Sequence, residues 1–356
     1  MKVGILTFPH SPSLGAMLQM GALYHTIQTQ GHDAEIINYV GSNVIHQKKR
    51  QMTAKAVAIK VLSALFLKSG KKSFQQFEGK MKMYPAQPIS STDELKELVK
   101  RYDRIIVGSD QVWNHIVTGN DMNFYLAFCD KNEKKASYAA SFGNTQVIEE
   151  SREQIAALLN SFTYLGVREK QGQQLIENLT GRESKVVLDP TLLTTRDYLQ
   201  GEIIPANRKK KYVLFFQIKP SASLRKRAEE YARENGLELV TVGGRIKERF
   251  DPRKHPAFGV GPGEFLGLIQ DAQCVFTNSF HGLAISIALQ RDFYVEYSTD
   301  TNSRLINLVE MLDLQDRVIT QQHLKAVAID YEAVDKKLQD QRDYSQAFLQ
   351  EILTEK

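Results

Sequence analysis

Thr277-Asn278-Ser279-Phe280-His281-Gly282 runs into the apolar stretch Leu283 to Leu289, placing a titratable imidazole among small polar groups at what reads as a strand-to-helix turn. An imidazole exchanges protons near neutral pH, so His281 is the first candidate for general acid or base work. Around it Asn278, Ser279 and Gly282 offer donors at a helix start, where free backbone N–H groups favour an anion. Arg304, opening a later helix in Ser303-Arg304-Leu305, offers a second anion contact from the same rim. In the first half, Arg168 directly follows Gly166-Val167. Its permanent charge and planar fork suit a carboxylate or phosphate, and pairing with the adjacent Glu169 is the plainer alternative.

The segment Gly108-Ser109-Asp110-Gln111-Val112-Trp113-Asn114 gathers a carboxylate, amides, a hydroxyl and the chain's single tryptophan. Such a set suits recognition of a polar ring such as a sugar; the competing reading makes Asp110 a helix N-cap and Trp113 packing. Ser141, in Ala139-Ala140-Ser141-Phe142-Gly143, ends another apolar run with small residues that permit close backbone approach. Gly15, before Ala16-Met17-Leu18-Gln19, lets a ligand approach a helix N-terminus. The other histidines, His10, His25, His32, His46, His115, His255 and His323, show no metal-ligand spacing, so no structural metal is expected.

These residues need elements to hold them, and apolar β-rich runs alternate with helical patterns almost from end to end. That alternation predicts parallel sheets covered by helices, with ligands beyond the carboxyl ends of the strands, where all these candidates fall. Strands are expected near Lys2 to Phe8, Asp33 to Tyr39, Arg104 to Val107, Lys135 to Ala140, Tyr164 to Val167 and Lys185 to Leu188. A second set is expected near Tyr212 to Gln217, Glu238 to Val242, Ala257 to Gly259, Cys274 to Thr277 and Phe293 to Tyr297. Between the sets, residues 200–211 carry Gly201, Pro205, Asn207 and four consecutive basic residues, which is linker chemistry. The expectation is an α/β protein of two doubly wound, Rossmann-like domains facing a cleft, over 1–199 and 212–330, followed by a C-terminal helix over 331–356.

A length of 356 residues supports about two domains, and 42% hydrophobic with 24% charged residues is an ordinary globular balance. Disorder and a disulfide scaffold are excluded; Cys129 and Cys274 read as reduced thiols. No signal-peptide pattern or membrane-spanning run is visible, which gives a cytoplasmic expectation. A net charge of +5 is too small for a chain of this length to imply nucleic acid. The charge is locally uneven, since Gly41 to Phe77 lacks Asp and Glu while lysines and Arg50 crowd 48–72 around an apolar helical stripe from Ala54 to Phe66. Packing of that stripe on its own domain is one reading, and peripheral docking on an anionic membrane face is the other.

Taken together, the chain resembles the polysaccharide pyruvyl transferase family. Matching segments are Gly15-Ala16-Met17-Leu18-Gln19, Gly108 to Asn114, Tyr138 to Gly143, Val167-Arg168-Glu169, Leu188-Asp189-Pro190-Thr191, Thr277 to Gly282 and Ser303-Arg304-Leu305. The resemblance implies a glycosyltransferase B-like fold, phosphoenolpyruvate as co-substrate without a further cofactor, and a sugar diol as acceptor. The product would be a cyclic pyruvate ketal on a cell-surface glycan precursor, as in exopolysaccharide biosynthesis. It also maps the catalytic histidine to His281 and the anion-binding arginines to Arg168 and Arg304; in the mechanism read from these residues, Asp110 orients the acceptor or takes a hydroxyl proton. Ser109, Trp113, Asn114, Ser141 and Gly15 would lie on the acceptor side. This chain departs from the family in having Ser13-Leu14 where Asn-Tyr is frequent and Ser279-Phe280-His281 where some members carry Arg-Leu-His. The alternatives are a glycosyltransferase using a nucleotide sugar, and a glycan-binding homologue without turnover.

Overall fold

The computed structural model describes residues 1–41, 70–143, 147–243, 257, 259–297, 302–320, 324 and 328–354. Most of the basic stripe expected over Gly41 to Phe77 lies outside the described residues; 70–78 are helical.

The first sheet contains β1 (Lys2–Leu6), β2 (Asp33–Tyr39), β3 (Met83–Ile89), β4 (Arg104–Val107), β5 (Lys135–Ala140), β6 (Tyr164–Val167) and β7 (Lys185–Val186). Its order is β3-β2-β1-β4-β5-β6-β7, and every pairing is parallel. The intervening helices are α1 (Leu14–Thr29), α2 (Thr92–Leu98), α3 (His115–Thr118), α4 (Arg152–Asn160), α5 (Lys170–Thr180) and α6 (Pro190–Leu193). Strands such as β5 and β6 are buried at every position, as a sheet covered on both faces requires. The chain winds outward from β1 in one direction and from β4 in the other. The crevice outside the carboxyl ends of β1 and β4 is therefore the topological switch point.

The second sheet contains β8 (Tyr212–Gln217), β9 (Glu238–Gly243), β10 (Cys274–Thr277) and β11 (Phe293–Val295), parallel in the order β11-β10-β8-β9. Its switch point lies between β8 and β10. The helices of this half are α7 (Arg196–Gly201), α8 (Ala222–Glu234), α9 (Pro262–Asp271), α10 (Phe280–Ala288) and α11 (Asn302–Met311), with α12 (Tyr331–Thr354) last.

Three details differ from the sequence expectation. Strand β3 was not anticipated, because Pro85 and Pro88 interrupt its pattern; it lies at the sheet edge, where missing N–H donors are tolerated. Neither Ala257 nor Gly259 is in a strand, and Phe258 lies outside the described residues. Among described residues, one compact unit gathers 1–41, 78–194 and 339–354, and the other gathers 70–77 and 195–338. The segment 200–211 packs within the second unit: the Ile204 N–H donates to the Gly263 carbonyl at 3.0 Å, and a Cβ at Gly267 would sit 2.0 Å from the Ile204 oxygen. The terminal helix α12 is divided, with 331–338 in the second unit and 339–354 in the first.

Candidate functional site

In the first unit, hydrogen bonds lace together the loops that leave the carboxyl edge. Thr7, at the end of β1, donates its hydroxyl to the Ser109 carbonyl after β4 at 3.0 Å, closing the switch point. Gln19 on α1 donates to the Thr7 hydroxyl at 3.3 Å, and Gly15 is buried in the first turn of the same helix. Gly108 has φ +115 and a Cβ there would fall 2.3 Å from the Tyr138 carbonyl, so only glycine lets the β4 loop lie against β5.

Asp110 follows with φ +83, a conformation that costs an L-residue on the order of 1–3 kcal/mol. Its carbonyl accepts the Ser141 and Val112 N–H groups at 3.0 and 2.8 Å, and its carboxylate accepts the Gln111 N–H at 2.9 Å. Asp110 is therefore a pinned turn residue presenting its carboxylate, and the N-cap of α3 is Asn114 instead. Asn114 accepts the Ile116 N–H at 3.0 Å and donates to the Gln111 side chain at 2.7 Å.

Trp113 does not line this edge. Its ring is 2% exposed and packed among Tyr125, Phe142 and Phe162, and the indole N–H donates to the Phe124 carbonyl at 2.9 Å. Of the two sequence readings, packing is the one the structure gives Trp113, and this indole is removed from the residues expected to recognise a sugar. Ser109 and Ser141 are likewise enclosed: their hydroxyls donate to Asp189 at 3.3 Å and Glu169 at 2.8 Å. They shape the strand-end loops from within.

Arg168 is brought beside Asp110, though not as an open anion receptor. Its side chain is 1% exposed, with Asp189 at 2.6 Å, Asp110 at 3.5 Å and Glu169 at 3.9 Å. The adjacent Glu169 is a partner, as the plainer sequence reading had it, but Asp189 is the nearer one. Burial alone would lower the pKa of this guanidinium, yet the surrounding carboxylates raise it.

In the second unit the switch point is bridged by Asn278. Its side-chain oxygen accepts the Ile218 N–H at 2.9 Å and its NH2 donates to the Lys219 carbonyl at 2.8 Å, clamping the loop after β8. Thr277 accepts the Ser279 N–H at 3.0 Å, and Ser279 caps α10 by accepting the Gly282 N–H at 3.3 Å. A Cβ at Gly282 would meet the Thr277 hydroxyl at 2.5 Å and Phe216 at 3.0 Å, so this glycine lets α10 settle on the sheet. Asn278, Ser279 and Gly282 thus build the turn that carries His281. The imidazole meets the Phe280 ring edge-on at 5.3 Å, and the Arg304 guanidinium lies 5.9 Å from the same ring. Phe280 is thus a ring that both His281 and Arg304 approach.

Sequence reasoning named Asp189 in a matching segment without giving it a role, and passed over Lys219 and Glu296. Lys219 follows β8 and Glu296 follows β11, hydrogen-bonding Ser223 in the first turn of α8. The same strand-end rule that singled out His281 applies to both.

Two parallel Rossmann-like sheets with polar strand-end loops define a glycosyltransferase B-like fold. The model of the family described as polysaccharide pyruvyl transferase matches residues 14–296, and the chain belongs to that family. No curated protein matches it. Among solved structures, it is similar to a Listeria monocytogenes protein assigned as a UDP-N-acetylglucosamine 2-epimerase, with 13% identity, 98% of this chain and 89% of that chain covered, and a TM-score of 0.53. The S. aureus MnaA–UDP co-structure gives 13% identity, 98% and 91% coverage and a TM-score of 0.51. The UDP-GlcNAc 2-epimerase from Neisseria meningitidis bound to UDP-GlcNAc gives 8%, 99% and 94%, and 0.50. At these identities the likeness is one of fold.

Proposed function

We propose that the protein transfers a pyruvyl group from phosphoenolpyruvate to two hydroxyls of a sugar in a cell-surface glycan precursor. The observation that carries this reading is a strand-end turn bearing His281, with the Arg304 guanidinium 5.9 Å from the ring of the adjacent Phe280, in a chain of the pyruvyl transferase family. Protonation of the donor's C3 makes C2 electrophilic, one sugar hydroxyl adds there, and the C2–O bond to phosphate breaks as the second hydroxyl closes the ketal ring. In this scheme His281 gives the proton to C3, and Arg304 neutralises the donor's anionic groups. The N-terminal amides of α10 add dipolar support for the same charge. Asp110, the carboxylate held forward on the first unit, serves as the contact for an acceptor hydroxyl and takes its proton. The scheme balances as phosphoenolpyruvate plus diol giving ketal plus phosphate, and no cofactor enters it.

No described helix is long and apolar enough to cross a membrane. A lipid-linked acceptor reached by peripheral docking through 48–72 belongs to the same proposal. The discriminating experiment follows the leaving group with glycan precursors present: inorganic phosphate released from phosphoenolpyruvate supports the reading. Nucleotide released from a nucleotide sugar, with no phosphate from phosphoenolpyruvate, supports the glycosyltransferase alternative.

A further inference from the structure

Arg168, which the transfer scheme leaves without a role, is the buried centre of a charge cluster. One guanidinium faces three carboxylates, Asp110, Asp189 and Glu169, and the four side chains sum to a formal charge of −2. Phosphoenolpyruvate carries a carboxylate and a phosphate. Bringing it to this guanidinium would add negative charge to a cluster already in negative excess, in surroundings where charges are poorly screened.

The three carboxylates are not equivalent. Asp189 is fully buried; one oxygen takes Arg168 and the Ser109 hydroxyl, while the other takes the Thr191 N–H at 3.0 Å and the Thr191 hydroxyl at 2.7 Å. Glu169 is 3% exposed and is held by Ser141. Asp110 alone shows an appreciable part of its side chain, 15%, to solvent. Its backbone is held in the left-handed region by its neighbours. Two carboxylates anchored in the fold thus fix the guanidinium, and the guanidinium faces the third, which looks outward.

We infer that Arg168 and Asp189 are positioning residues that hold the Asp110 carboxylate toward the acceptor, and that Arg168 is not a ligand of the donor. The inference rests on the transferase reading for its kinetic test and stands apart from it for its structural one. Arg168→Lys keeps a cation but loses the fork; Arg168→Gln removes the charge. In both, phosphoenolpyruvate affinity measured by calorimetry without acceptor is expected to stay within about threefold of wild type. With acceptor present, kcat is expected to fall about 10- to 100-fold, less in Arg168→Lys. Because Arg168 acts through Asp110, the double variant Arg168→Gln/Asp110→Asn is expected to be no slower than Asp110→Asn alone. Donor affinity weakened tenfold or more, or multiplicative losses in the double variant, would overturn the assignment.

Should wild type neither bind nor use phosphoenolpyruvate, the functional reading fails and the crystal structure of Arg168→Lys decides the inference by itself. An Asp110 carboxylate displaced by about 1 Å or more supports it, and one that stays in place contradicts it. If Arg168→Gln does not fold, Arg168→Lys, paired with Asp110→Asn, carries both arms.

Discussion

His281 carries the chemistry in this account, and it stands on a turn whose other polar groups are already occupied in building it. Its replacement by alanine is expected to reduce transfer by roughly 100- to 10,000-fold, as loss of a general acid does. The melting temperature should change little, because Ser279 still caps α10 and Gly282 still meets the sheet. Steady-state rates alongside thermal melts check this; a folded variant with wild-type turnover removes the histidine from the mechanism. At this scale the sequence was informative where a residue's place follows from a strand end. His281, Asp110 and Arg304 could be read that way. Trp113 could not, since its burial depends on Phe142 and Phe162, which arrive from other strand ends. Of the carboxylates around Arg168, the adjacent Glu169 could be read from the sequence, while Asp110 and Asp189 were out of sight, 58 and 21 residues away along the chain.

Among the elements, the two switch points are each crossed by a hydrogen bond between loops, and the opposite edge of the first sheet is held by charge. Glu35 on β2 is fully buried and bonded by Arg101 at 2.8 Å on both oxygens, with Lys82, Lys2 and Tyr102 completing its shell. Burial by itself would raise its pKa, but the bonds from Arg101, Lys82, Lys2 and Tyr102 outweigh burial and hold the carboxyl well below the usual carboxylate range. A carboxyl depressed on folding stabilises the native state above its unfolded pKa, and that contribution fades as the pH falls toward the folded value. Glu35→Gln is therefore expected to cost about 2 kcal/mol near pH 7, and to flatten the loss of stability between about pH 5 and pH 3. Urea unfolding across that range checks it; parallel wild-type and variant curves would show that Glu35 contributes no pH dependence. The strand pattern was legible because fully buried parallel strands read as unbroken apolar runs. The exception, β3, is an edge strand whose prolines mimic a loop.

Across the molecule, two parallel sheets were foreseeable from the restart of the strand pattern, but the path of α12 was not. Nothing in its sequence says that Phe348 stacks on Tyr138 at 6.4 Å, or that Gly166 is required because a Cβ would meet the Phe348 ring at 2.4 Å. Ser345 on the same helix accepts the Leu188 N–H, one residue before Asp189. Phe348→Ala is expected to destabilise the first unit by about 3–5 kcal/mol, the range for emptying a buried aromatic site. Chemical denaturation reads this directly, and a loss under 1 kcal/mol would mean the helix contributes little to that core. The lysines of 48–72 bear on where the enzyme works. Sedimentation with anionic liposomes is expected at low salt and should be lost at high salt, or when Lys48, Lys49, Lys71 and Lys72 are changed to Glu. A wild type that stays in the supernatant at low salt removes the membrane contact and leaves the transferase reading intact.

The central claim is a reaction, and its product is the most direct witness. Purified protein incubated with phosphoenolpyruvate and a panel of glycan precursors should yield a sugar whose mass has increased by a pyruvate ketal. Phosphate should be released in equal amount, and both signals should vanish in His281→Ala. Unmodified precursors with phosphoenolpyruvate, alongside glycosyl transfer to the same precursors from a nucleotide sugar, would contradict the account.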